Sequence, residues 1–338
     1  MTVFTVEQEI AHIEVGRPHV MLLGAGASRA ALPDGDRDGQ RLPVMADFSE
    51  VVPVAPVLDR SGMEWRNRNF EEVYSEISST DSQRELREEL ESVIYDYFSS
   101  LALPSEPTTY DLLLLSLRAK DVLVTFNWDP FIVQALERTR HIRRELKHPF
   151  IVFLHGNVGS AFCATDNLHG RVGGTCSSCG QPFQPSRLLY PVVEKDYERD
   201  PQIADAWRFI AQALERAFMV TVFGYGAPSS DVAAMDLLRA AWGPKENREL
   251  EQFEVIDIKP EDELLATWQD FILSHHYEVH GDIADSWVLK HPRRSGDAYW
   301  NQYMNAYFIE NNPVPRSPSW PELEQWFAPL LEHERRAV

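Results

Sequence analysis

The chain has 338 residues, 44% of them hydrophobic, and a net charge of -20. That is enough apolar surface for a full core, and a charge that repels phosphate backbones, which argues against extended disorder and broad nucleic-acid binding. The start, MTVFTVEQEIAHIEVGRPHV, lacks the basic and apolar regions of a signal peptide, and no apolar run approaches the roughly 20 residues of a membrane span. A soluble, cytoplasmic protein is expected.

Taken in chain order, five short apolar runs read as strands: PHVMLLGAGAS from residue 18, VLVTFNWD from 122, FIVFLHG from 150, FMVTVFGYG from 218 and FEVIDI from 253. Helical periodicity fills FIVQALERTRHIRREL, IADAWRFIAQALERAF and DVAAMDLLRAAW between and after them. Strands alternating with helices predict an α/β fold with a Rossmann-like, doubly wound parallel sheet. The core is expected over residues 1–59 and 119–285. Residues 60–118 read as consecutive helices, a helical insertion too long for one crossover. Residues 156–190, rich in Gly, Ser, Cys and Pro, read as a small zinc-type module within the core. The end, 286–338, reads as an aromatic-rich helical tail that packs or forms an interface.

Two stretches carry chemistry. In LLGAGASRA, Gly24 and Gly26 let the backbone turn tightly and approach a pyrophosphate, or simply make a tight structural turn. The nearby DGDRDG at 34–39 imitates a calcium loop, but Met45 stands at the twelfth position, so a solvated acidic loop is expected. All three cysteines fall between 163 and 179. Cys176 and Cys179 make a zinc-knuckle half, and Cys163 lies upstream with twelve residues between it and Cys176. Asp166 occupies the place where a second CxxC would have its cysteine, and His169 stands three residues on. A structural zinc site of Cys163, His169, Cys176 and Cys179 is the preferred completion, with free thiols as the alternative.

The ordered set GAGAS, TFNWD, FLHG, a CxxC module, GYGAPSSD and VIDI resembles the sirtuin family over roughly residues 18–285. The likeness is closer to the bacterial sirtuin-like NAD-hydrolysing domains of anti-phage defence systems. The chain lacks the SGIPDFR segment of the deacylases and reads TFNWD where they read TQNID.

The resemblance implies NAD as substrate and a crevice at the strand ends. There Gly24, Ala25, Gly26, Ala27 and Ser28 would surround the pyrophosphate, with Gly224 and Tyr225 approaching from the fourth strand. Asp257 would accept from the adenosine ribose or serve only as a polar strand end. Asn127 would place a water or ribose hydroxyl, and His155 would take its proton or act as a structural histidine. Asp129 would contact the nicotinamide amide, while its place before Pro130 and a helical run also predicts an N-cap. The expected activity is NAD glycohydrolysis by an NAD-depleting effector, a homo-oligomer joined by an ATPase or sensor subunit. A protein-lysine deacylase and a non-catalytic nucleotide-binding module are the alternatives.

Overall fold

The apolar runs form strands because each is short, rich in β-branched and aromatic residues, and stopped by a turn. In the computed structural model, which describes residues 2–192, 197, 200–228, 231–273 and 275–337, they are β1 (His19–Leu23), β2 (Val122–Thr125), β3 (Phe150–Phe153), β4 (Met219–Phe223) and β5 (Gln252–Ile256). A sixth strand, β6 (Tyr277–His280), pairs with β5 at the sheet edge. All six are parallel, in the order β3-β2-β1-β4-β5-β6. This is a Rossmann-like doubly wound sheet, and the winding reverses between β1 and β4.

Alternate residues of each strand enter different cores. Met21, Leu23 and Leu123 face one side, where they join Leu114, Phe131 and Ile132. Val20, Leu22, Val220 and Val255 face the other, where they meet Ile210, Leu238 and Trp268. Burial on both faces is what turns the strands into continuous apolar runs.

The predicted insertion is helical, with helices Phe70–Ser78, Arg84–Ser100 and Thr109–Ser116. It has no core of its own: Val73, Ile77, Ile94 and Phe98 belong to the same cluster as Met21. The tail is equally built in. Leu323, Phe327 and Leu331 of the helix Trp320–Ala337 pack into that cluster. Arg293 pairs with both carboxylate oxygens of Glu334 at 2.7 Å and donates to the carbonyls of Leu115 and Leu117. Residues 60–118 and the helix Trp320–Ala337 thus share the core on one face of the sheet, while Trp287, Ala298 and Tyr299 pack with Phe218 and Met219.

The module at 156–190 contains a three-stranded antiparallel sheet, with Ser160–Phe162 between His169–Arg171 and Gln184–Pro185. No helix among the described residues is long and apolar enough to cross a membrane.

Candidate active site

Two strand-end loops meet at the switch point. After β1 the chain turns through Gly24 into the helix Ala25–Ala31, and after β4 it turns at Gly224, whose φ is +61°. A Cβ on Gly24 would lie 2.5 Å from the Gly224 carbonyl oxygen, one on Gly26 would lie 2.9 Å from it, and one on Gly224 would lie 2.1 Å from the Ala27 nitrogen. The glycines are thus required by the contact of loop against loop.

Beside these loops opens a cleft of about 620 Å³, lined by every predicted catalytic and cofactor-contacting residue except Ala27, and of a size usual for small-molecule sites. Ala27 instead packs into the core with Met21. Ser229 and Ser230 of GYGAPSSD lie outside the described residues.

Ser28 is the hub of the cleft wall. Its Oγ donates to Asp129 Oδ2 at 2.6 Å, receives Asn127 Nδ2 at 2.9 Å and lies 2.5 Å from the Tyr110 hydroxyl. The second Asn127 Nδ2 hydrogen goes to the Gly24 carbonyl at 2.8 Å, which fixes the orientation of the amide because a carbonyl only accepts. Both amide hydrogens are then spent, and Oδ1 is the atom left to accept from a ligand.

Asn157 ties the TFNWD turn to the end of β3, donating to the Asp129 carbonyl at 2.5 Å. Burial raises the Asp129 carboxyl to about 6 against the pull of the Ser28 hydrogen bond. Asp129 is not the expected N-cap: Phe131–Arg138 begins after Pro130, and Asp129 Oδ1 reaches the Phe131 nitrogen only at 3.4 Å. The turn holds the carboxylate toward the Ser28 hydroxyl instead.

His155 is buried at the end of the β3 run, with Nε2 3.3 Å from the Tyr197 hydroxyl and its ring edge-on to Phe126 at 5.0 Å. The module's return leg passes behind it, where Leu189 donates to the His155 carbonyl at 2.9 Å. Phe126 in turn stacks on Tyr225 at 4.1 Å, and the Tyr225 hydroxyl donates to Asp231 at 3.0 Å. Asp257 is half-buried in the cleft lining and accepts from the Lys259 nitrogen at 3.1 Å.

The cysteines converge, but with a different fourth partner. Cys163, Asp166, Cys176 and Cys179 bring their ligand atoms within 4.8 Å of one another. The Cys163 and Cys179 sulfurs are 3.5 Å apart, and Asp166 Oδ2 lies 3.1 Å from Cys176 Sγ and 3.6 Å from Cys163 Sγ. Ligands about 2.3 Å from one zinc would stand about 3.8 Å apart, so the set fits a tetrahedral ion. The hydrogen bond to the Asp166 carboxylate pushes the Cys179 thiol up to about 12, an arrangement a bound cation would reverse. His169 is not in the cluster. It heads an exposed strand whose pairing with Phe162 sets it apart, while the tight turn at Asn167 (φ 52°) folds Asp166 back over Cys163. None of the four lines the cleft, so a metal here would brace the module.

No family model matches the chain, and no curated protein sequence matches it. Among solved structures, a Sir2 homologue in complex with NAD is 14% identical over 98% of this chain and 93% of its own, with a TM-score of 0.42. A mutant Sir2 homologue bound to ADP ribose is 15% identical over 98% of this chain and 95% of its own, at 0.40. A Sir2 mutant with a deacetylated p53 peptide and 3'-O-acetyl ADP ribose is 14% identical over 83% of this chain and 93% of its own, at 0.39. Overlap this loose carries no residue's role across.

Sequence reasoning missed several cleft residues. Glu71 and Asp231 are buried carboxylates in its lining, and Leu42, Met45, Phe48, Phe98 and Trp128 make an apolar arm. Glu71 and Phe98 come from the stretch read as consecutive helices, where periodicity announces core packing and gives no sign of a shared wall, and Leu42, Met45 and Phe48 come from residues before it to which no site was assigned. The DGDRDG loop nearby is not simply solvated: Asp36 is buried and accepts from the nitrogens of Asp38, Gln40 and Ala102, each at 2.9 Å.

Proposed function

We propose that this chain is an NAD glycohydrolase that cleaves NAD with water to nicotinamide and ADP-ribose. The observation that carries the reading is the joint presence of Asn127 and His155 in one crevice at the sheet's switch point, where open α/β sheets bind nucleotides. The sequence order GAGAS, TFNWD, FLHG and GYGAPSSD supports NAD as the nucleotide. The lining carboxylates Glu71, Asp129 and Asp231 suit a ligand with a cationic ring. The cationic side chains of the lining are engaged elsewhere, Arg29 with Leu42 and Asp47 and Lys259 with Glu263.

In this reading the nicotinamide ring is already a good leaving group, and breaking its bond to ribose generates an oxocarbenium-like centre. Asn127 Oδ1 orients a water toward that centre, and His155 takes the water's proton as the new C–O bond forms. Nicotinamide leaves with the bonding electron pair, and the proton passes from His155 to solvent. A buried Asp129 carboxylate stabilises the developing positive charge.

Incubating the purified chain with NAD and identifying the products tests the proposal. Nicotinamide and ADP-ribose should appear, and an acylated peptide should leave the rate unchanged. Product that appears only with the peptide assigns a deacylase, and binding without turnover assigns a nucleotide-binding module. The wider reading is an NAD-depleting effector of anti-phage defence, cytoplasmic and restrained as a homo-oligomer with a separate ATPase or sensor subunit. NAD levels through infection, and the mass of the complex recovered from cells, test that part.

A further inference from the structure

The cleft wall is held from behind by a residue that does not reach the cleft. Tyr110 belongs to the helix Thr109–Ser116 of the insertion, is 2% exposed, and packs its ring against Phe131 with centroids 5.7 Å apart. Its hydroxyl stands 2.5 Å from Ser28 Oγ. A serine hydroxyl offers one hydrogen and two lone pairs. At Ser28 the hydrogen goes to Asp129 and one lone pair takes Asn127 Nδ2, so the remaining lone pair is the one that receives Tyr110. Burial raises the phenol well above its ordinary range, which keeps it a donor at every working pH.

We propose that Tyr110 is a positioning residue for NAD cleavage, its O–H fixing the direction of the Ser28 hydroxyl and through it the Asp129 carboxylate and the Asn127 amide. The inference rests on the glycohydrolase reading of the same cleft. Its physical basis is a donor count. If Asp129 took up a proton and donated it to Ser28, three donors would compete for two lone pairs, and the Ser28 hydrogen would lose its acceptor. The Tyr110 hydroxyl therefore penalises a proton on Oδ2, the oxygen that faces Ser28, while Oδ1 faces the Phe131 N–H, itself a donor. Without that hydroxyl, Ser28 can accept from a protonated Asp129, and the neutral form becomes easier to reach.

The test is Tyr110→Phe, which keeps the ring and removes one atom. The acid limb of its kcat profile should move up by about half to one pH unit. At pH 6 kcat should fall about 2- to 5-fold and recover toward pH 8, with KM within about twofold. Carbon-13 NMR of the Asp129 carboxyl, assigned through Asp129→Asn, should show the same upward shift of its titration. A lower melting temperature with an unmoved limb and an unmoved titration would reduce Tyr110 to packing and overturn the inference. If the wild type does not cleave NAD the glycohydrolase reading falls, and the NMR titration still decides whether Tyr110 governs Asp129. If Tyr110→Phe does not fold, fluorotyrosine at position 110 keeps the ring and hydroxyl and strengthens the O–H donor. It must then lower the Asp129 titration, and an unmoved value would again overturn the inference.

Discussion

Two buried polar clusters of this protein have nearly the same ingredients and opposite electrostatics. In the cleft wall, Asp129 meets the Ser28 hydroxyl and a distant backbone nitrogen, and burial pushes its carboxyl up to about 6. The second cluster lies across the sheet under residues 286–303. Ser295 bonds His19 at 2.9 Å, His19 bonds Thr221 at 2.8 Å, and Thr221 donates to Glu254 at 2.7 Å. Trp287 donates its backbone nitrogen to Glu254 and its indole to Glu278, each at 3.0 Å. His280 stands 3.0 Å from Glu278 and 3.5 Å from Glu254, whose hydrogen bonds push it up to about 9.

The second cluster contains its own cation and is complete as a staple between sheet and tail. The cleft carboxylate is met by neutral donors, so it is costly to ionise and responsive to positive charge brought by a ligand. The cysteine cluster is a third solution, three thiols and a carboxylate whose charge a metal would balance.

The largest effect that can break this contrast is on turnover. Asn127→Ala and His155→Ala should each lower kcat about 10²- to 10⁴-fold by removing placement or proton transfer. Glu278→Gln, in the staple, should leave kcat within about twofold, and equal losses from all three would erase the distinction.

Metal removal comes next. Elemental analysis should find about one zinc per chain, and Cys176→Ser should release it and lower the melting temperature by roughly 5 °C or more. Asp166→Ala should behave alike while His169→Ala should not; the reverse pattern would restore the histidine as fourth ligand.

Asp129→Asn sharpens the comparison through pH. A carboxyl raised from an unfolded value of about 3.9 to about 6 stabilises the fold below pH 4 and loses that contribution as pH rises through 6. The variant should therefore be more stable than wild type at pH 7, by up to about 2–3 kcal/mol, and match it near pH 4. Thermal melts at both pH values check the sign, and a variant less stable at pH 7 would show Asp129 to be a net staple. The smallest effect runs the other way. His280, raised to about 9, contributes stability that is full below pH 6.5 and lost as pH rises through 9. His280→Gln should cost about 1 kcal/mol at pH 6 and little at pH 10, since the imidazole is partly exposed.

How much of this was legible follows from distance along the chain. β1, β2, β4 and β5 are legible because strands covered on both faces are largely apolar, and the edge strand β3 because FIVF is apolar although Phe150 is exposed, whereas the edge strand β6 is half-buried and its YEVH alternates over only four residues. Asn127 and His155 stand out in the sequence because each ends an apolar run, and both line the cleft. The spacing of Cys163 and Asp166 already contains the CxxC-like turn, with His169 three residues on as the competing ligand.

By itself, the sequence determined what depends on neighbours a few residues apart: the strand and helix periods, the glycines after β1 and β4, and the cysteine turn. Tertiary structure alone decided which groups share a proton or a charge. Tyr110 and Ser28 are 82 residues apart, and Arg293 and Glu334 are 41 apart. The insertion and the tail look like appendages because their periodicity records only that a face is buried. The surface that buries it is chosen by the packing of the whole chain, since hydrophobic burial is non-directional and names no partner.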